Sequence, residues 1–178
     1  VTGLTLSNGL RVWLVPNREL PSISGKVIFP AGPAYDPEGR TGVAGLTANL
    51  IAAGGSSNRS PLEVRRFLAE RAAEIRPVVR AETAALSFWS LSDHATDVLQ
   101  LLGELISEPA FDRSTFFTAK EGLRRTIATR NDSLDEVTAR EFTSAAFGRA
   151  LAPPMEFGGL EKIQREDLVE FHRRAYRP

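Results

Sequence analysis

The pattern of apolar residues predicts an α+β domain: an antiparallel or mixed β-sheet with helices packed mainly on one face. Three observations carry that prediction. Short apolar runs occur in pairs, near the start of the chain and again before residue 90, joined by links too short for a parallel crossover. Longer stretches between and after them repeat their apolar residues every three or four positions. Helix start and stop residues punctuate those stretches. The order is strands, two helices, two strands, then helices, which is the arrangement of paired strands covered by helices on one side.

Leu4–Leu6 and Leu10–Val15 flank Ser7-Asn8-Gly9, and Asn-Gly between apolar runs signals a hairpin because both residues tolerate positive φ. A third extended run covers Ile23 to Ala31 and stops at Gly32-Pro33. After the turn-rich Pro37–Gly42, a helix starts at Val43, with Val43, Leu46, Leu50 and Ile51 on one face, and Gly54-Gly55 ends it. Ser60-Pro61-Leu62-Glu63 opens a second helix with a cap, a proline at the first position and a glutamate at the third. It carries Leu62, Val64, Phe67 and Leu68 and fades near Ala73.

Ile75–Arg80 and Ala84–Trp89 form the second strand pair. Ser92-Asp93 is placed to cap a third helix with Val98, Leu101, Leu102, Leu105 and Ile106 on its apolar face, closed by Glu108-Pro109. Asp112 or Ser114 opens a long helix through Arg130; Leu134–Phe147 is another; Arg165-Glu166-Asp167-Leu168 begins the last.

The 178 residues suit a single domain, 1–178, expected to be one part of a longer chain, since it breaks off just after a charged helical pattern. Hydrophobic residues make up 42% and charged residues 25%, enough to bury a core without staples. With 22 basic and 22 acidic residues the formal charge is zero, so nothing pulls the chain globally toward nucleic acid or an anionic membrane. There is no cysteine, hence no disulfide framework, thiolate metal site or thiol nucleophile. No run approaches the roughly eighteen apolar residues of a spanning helix. Arg far outnumbers Lys and Ala is abundant, a composition expected of a GC-rich bacterial genome. The compartment stays open between cytoplasm and, with a leader removed, periplasm or secretion.

Several segments, in order, resemble the N-terminal domain of the insulinase, pitrilysin and mitochondrial processing peptidase family. Leu6-Ser7-Asn8-Gly9-Leu10-Arg11-Val12 resembles its opening hairpin, and Gly32 with Asp36 the segment before its active-site helix. Gly42-Val43-Ala44-Gly45-Leu46 resembles the start of that helix and Gly54-Gly55-Ser56 its exit. Leu160–Ile163, Asp167–His172 and Tyr176-Arg177-Pro178 resemble the closing part.

The resemblance implies an inverted zinc motif, His-x-x-Glu-His on a helix plus a Glu from a second helix. Two His four residues apart share a helical face and can reach one zinc, and the Glu between them can accept a proton from zinc-bound water. Set onto this sequence, the first His falls at Gly45, the base at Ala48 and the second His at Asn49. The second helix resembles Phe117–Leu123, where Glu121 matches the first of two family glutamates and Ala128, two turns later, stands at the ligand position. No residue from Thr41 to Gly55 is a His, Asp or Glu, so no shift of register supplies a site. The expectation is therefore no cofactor here, with zinc belonging to active relatives.

Other chemistry is poorly supported. The two His are His94, expected at the surface near a helix start, and His172, expected to face solvent. No Gly-x-Ser-x-Gly elbow or phosphate-binding loop occurs. Arg65, Arg66, Arg71 and Arg76 alternate with Glu63, Glu70 and Glu74, as on a solvated face. Glu121 is expected to form a surface or interface ion pair with an Arg. The strand Ile75-Arg76-Pro77-Val78 is a candidate sheet edge, because Pro77 has no N–H for a ladder; family peptides add near here, and the proline either blocks such addition or, as favoured, guards the edge from aggregation.

The resulting expectation is a non-catalytic domain that forms the structural, interacting half of a peptidase chamber. Its partner is a second similar domain or a catalytic subunit, in a homo- or heterodimer, with extended peptides as further ligands. Two alternatives stay open: an active zinc metalloendopeptidase whose intact site lies in another domain or subunit, and a peptide-binding module without turnover.

Overall fold

The computed structural model describes residues 1–147 and 156–177. All its strand pairings are antiparallel, and they form two sheets instead of one. β1 (Thr2–Thr5) and β2 (Arg11–Leu14) make the expected hairpin, closed by Gly9 N–H donating to the Leu6 carbonyl at 2.9 Å. It stands as its own two-stranded sheet, with most of its side chains exposed. β3 (Ser22–Phe29), β4 (Glu74–Val79) and β5 (Ala84–Leu91) form the second sheet in the order β3-β5-β4. β3 stops at Phe29, short of the Ala31 expected, because Pro30 cannot donate to a ladder.

The helices are α1 (Val43–Ala53), α2 (Pro61–Glu70), α3 (Ala95–Ser107), α4 (Arg113–Thr129), α5 (Leu134–Phe147), α6 (Phe157–Lys162) and α7 (Arg165–Ala175). α1 lies at the centre, packed against α7, α4, β4 and β5. Its sequence was expected to show one apolar face; eight of its eleven residues are buried, and the only stripe open to solvent is Gly45, Asn49 and Ala53. Small residues (three of them Ala44, Ala48 and Ala52) let neighbours close in around the whole helix.

Local signals account for most helix ends. Ser60 and Glu63 form the expected reciprocal capping box on α2, and Asp112 caps α4 through the Thr115 N–H at 2.8 Å. α2 ends at Glu70, before the expected Ala73, where the chain turns through Ala72 at φ +46°. Ser92 and Asp93 do not cap α3: with His94 they form a 3-10 turn, and α3 begins at Ala95 with no side-chain cap. α6 was not expected as a helix, since Gly158-Gly159 lowers its propensity. It is held by Lys120, whose ammonium donates to the carbonyls of Glu161 (3.1 Å) and Ile163 (2.9 Å). Pro178, the last residue of the resembling segment, lies outside the described residues.

Candidate functional site

Before α1, Asp36 accepts hydrogen bonds from the Gly42 and Ala44 N–H groups, each at 2.7 Å. It caps the helix from six residues upstream, where no local side chain does. Burial pushes its carboxyl above the usual carboxylate range, and the two N–H bonds pull the other way. Gly42 sits at φ +116°, a conformation that disfavours any side chain. Gly32 is required for closeness: a Cβ there would come within 2.3 Å of the Arg80 carbonyl oxygen. The loop is tied to α7 by an Arg40–Asp167 ion pair and by Arg174 donating to the Tyr35 carbonyl at 3.0 Å. This framework fixes where α1 starts and which of its faces stays open.

Gly45 and Asn49 share that open face, and the Asn49 amide donates to the Gly45 carbonyl at 2.9 Å. A Cβ on Gly45 would meet no atom within 4 Å. Ala48, one turn on from Gly45 and next to Asn49, is completely buried by the packing around α1. On α4, which packs against α1, Glu121 and Ala128 are both exposed. The Glu121 carboxylate lies 3.8 Å from Arg124, which is also 3.8 Å from Glu161. Exposed pairs of this kind contribute little to stability.

The chemistry of this set does not fit a metal. Glycine and alanine side chains offer no ligand atom, and of the four positions only Asn49 carries a polar group, an amide oxygen, which is a poor zinc ligand. Among the described residues no group of three His, Cys, Asp or Glu is placed to hold a metal ion. No residue of α1 carries a titratable side chain.

Among the described residues β4 is an edge of its sheet, hydrogen-bonded to β5 alone, and it packs against α1. Ile75 is buried beneath it, Arg76 pairs with Glu74 on the outer face, Pro77 is half-buried opposite Leu86, and Val78 is exposed.

One expectation is corrected. His172 does not face solvent: its Nε2 lies 2.7 Å from the Ile106 carbonyl oxygen, and its ring stacks on Tyr176 and meets the edge of Phe111 at centroid distances of 5.5 and 5.6 Å. The charged neighbours Glu170, Arg173 and Arg174 suggested a solvated face, but α7 turns His172 toward α3. Burial lowers its pKa, with a smaller push from Arg173. Burial also raises the pKa of Tyr176, whose hydroxyl has no partner among the described residues. His94 is half-buried beside α3.

The family model for insulinase (peptidase family M16) matches residues 11–155. The chain belongs to the insulinase family. A structure described as the peptidase M16 inactive domain from Pseudomonas fluorescens superposes with a TM-score of 0.87 at 22% identity, over 98% of this chain and 43% of that one. The ferredoxin protease FusC, solved in complex with Arabidopsis ferredoxin, superposes with a TM-score of 0.73 at 22% identity, over 96% of this chain and 19% of that one. At that identity both establish the fold. This chain spans less than half the length of each. No curated protein matches it. No helix among the described residues is long and apolar enough to cross a membrane.

Proposed function

We propose that this insulinase-family domain is non-catalytic and serves as the structural, interacting half of a peptidase chamber, paired with a second domain or a catalytic subunit. The observation that carries the reading is α1 itself. It keeps the buried packing and remote Asp36 cap of a precisely placed helix, yet its open face presents Gly45 and Asn49 without a zinc ligand, and Ala48 leaves no base. Ala128 removes the matching ligand from α4. Space without donors at Gly45 fits a site whose side chains were lost while the scaffold was kept. The solved structure described as an inactive M16 domain supports the same reading, and the greater length of both solved relatives fits a chain that works beside further domains.

The test combines metal content with assembly. The purified 178-residue chain is expected to hold far less than one zinc per molecule after incubation with zinc and gel filtration. Co-expressed with a subunit bearing an intact motif, it is expected to co-elute, and hydrolysis of an extended peptide should then depend on that subunit's motif. Stoichiometric zinc in this chain, or hydrolysis by it alone that a chelator stops, overturns the reading and favours an active metalloendopeptidase.

A second reading has its own support. Among the described residues β4 is a sheet edge lying against α1, so an extended peptide could add to it without turnover. Measurable affinity of the isolated chain for extended peptides, altered by substitutions at Pro77, would favour it.

A further inference from the structure

On the face of the three-stranded sheet that points away from the helices, the cross-strand register sets side chains in rows. Ser24, Trp89 and Glu74 make one, Lys26, Ser87 and Arg76 the next, and Ile28, Ala85 and Val78 the third. A groove of about 470 Å³ runs across the first two rows, lined by Lys26, Arg76, Glu74, Ser87 and Trp89 among others. A solvated sheet face ordinarily carries polar side chains. Here Trp89 is 41% exposed and Ile28 52%, and Val78 and Leu91 are open as well, so a basic row runs between aromatic and aliphatic surface.

The charges in the groove are unevenly satisfied. Arg76 pairs with Glu74 on its own strand, and the Ser87 hydroxyl donates to the Arg76 carbonyl at 3.2 Å. Lys26 has no hydrogen-bond or ion-pair partner among the described residues. Two cations and one carboxylate therefore leave one positive charge uncompensated beside an exposed indole. The complement is a single carboxylate next to an apolar side chain. A polyanion such as nucleic acid matches less well, because Glu74 lies in the same groove and the chain as a whole is neutral.

We propose that this outer face docks an acidic segment of a partner polypeptide, with a carboxylate between Lys26 and Arg76 and an apolar side chain against Trp89. The site uses side chains of β4 but neither that strand's outer backbone edge nor the α1 positions, so it stands whether or not the domain is catalytic. Charge complementarity at an exposed groove favours association rate and selectivity over tight binding.

The experiment reads Trp89 directly. The chain has two tryptophans, so Trp13→Phe leaves Trp89 as the only one, and excitation at the red edge of the absorption band selects it over the two tyrosines. Two acetylated, amidated peptides, Glu-Phe-Glu-Ser and Lys-Phe-Lys-Ser, are titrated into this variant. A saturable change in emission with the acidic peptide is expected, with the basic one weaker by roughly ten-fold or more. Lys26→Glu should weaken the acidic peptide by a similar factor, Lys26→Arg should retain binding, and added salt should weaken it. Circular dichroism confirms that each variant is folded. Equal binding of the two peptides, indifference to a folded Lys26→Glu variant, or no emission change at millimolar peptide overturns the proposal. So does self-association that shields Trp89 without peptide, which would assign the face to a second copy of the chain.

Discussion

The side-chain amide of Asn49 donates to the carbonyl oxygen of Gly45, one turn earlier on α1, at 2.9 Å. The bond links the two positions that the resemblance assigns to the paired histidines of active relatives, and it fills part of the open face with a local contact. Ala48, the third position, is completely buried in the core. The two kinds of position therefore answer differently to rebuilding.

Asn49→His and Gly45→His are expected to leave stability within about 1 kcal/mol of the parent, because both side chains emerge into open space. Ala48→Glu forces a carboxylate into a site with no exposure and is expected to cost about 3 kcal/mol or more. Urea unfolding of the three variants checks this. If Ala48→Glu is as stable as Asn49→His, then Ala48 does not face the core and the account of α1 is wrong.

Asp36 holds the start of α1 with two backbone bonds. Asp36→Ala leaves two helix-terminal N–H groups without their acceptor and should cost about 2 kcal/mol. Asp36→Asn keeps one acceptor oxygen and should cost less. Hydrogen exchange at the Ala44 amide should accelerate in the same order, whereas exchange in the separate β1–β2 hairpin should be unchanged.

His172 makes stability depend on pH in a defined direction. Its folded pKa lies below the ordinary 6.5 because burial disfavours the imidazolium. The unfolded chain then takes up a proton at a pH where the folded chain does not, so acid favours unfolding. The stabilisation is fully present above the unfolded pKa and is lost as pH falls through 6.5 toward the folded value. Urea midpoints measured between about pH 7.5 and 5.5 should fall, and His172→Gln should flatten that slope. An equally steep slope in the variant would assign the effect to other groups.

Much of the fold was legible because its signals are local. Asn8-Gly9 dictates a hairpin, the Ser60-to-Glu63 box starts α2, and heptad-like spacing of Val98, Leu101, Leu102 and Leu105 marks the buried side of α3. What escaped depends on partners distant in sequence. α6 forms because Lys120, some forty residues earlier, caps its last carbonyls. The orientation of His172 is set by Ile106 and Phe111, neither of which its charged flanks reveal. Separation of the hairpin from the main sheet is likewise a matter of tertiary pairing. At the candidate site, the lack of ligand-type residues was readable directly from α1, but the burial that distinguishes Ala48 from Gly45 and Asn49 required the packing of α7, α4, β4 and β5 around that helix.

Pro77 stands on the edge strand β4, where it has no N–H to offer and sits half-buried opposite Leu86. An exposed edge is a template for pairing with another chain, and proline is one of the means that suppress it. Pro77→Val adds a donor and a residue that favours extended structure, so it is expected to strengthen edge pairing. If the proline guards the edge, the variant will scatter more light on concentration and show a larger weight-average mass by sedimentation, while the parent stays unchanged. If the edge instead receives extended peptides, the variant will bind such peptides more tightly without self-associating. A variant that is unchanged in both respects would show that the edge is closed by something other than Pro77, and the alternation at Arg76 and Val78, a charged residue and a half-exposed valine on the outer face, would then be the place to look.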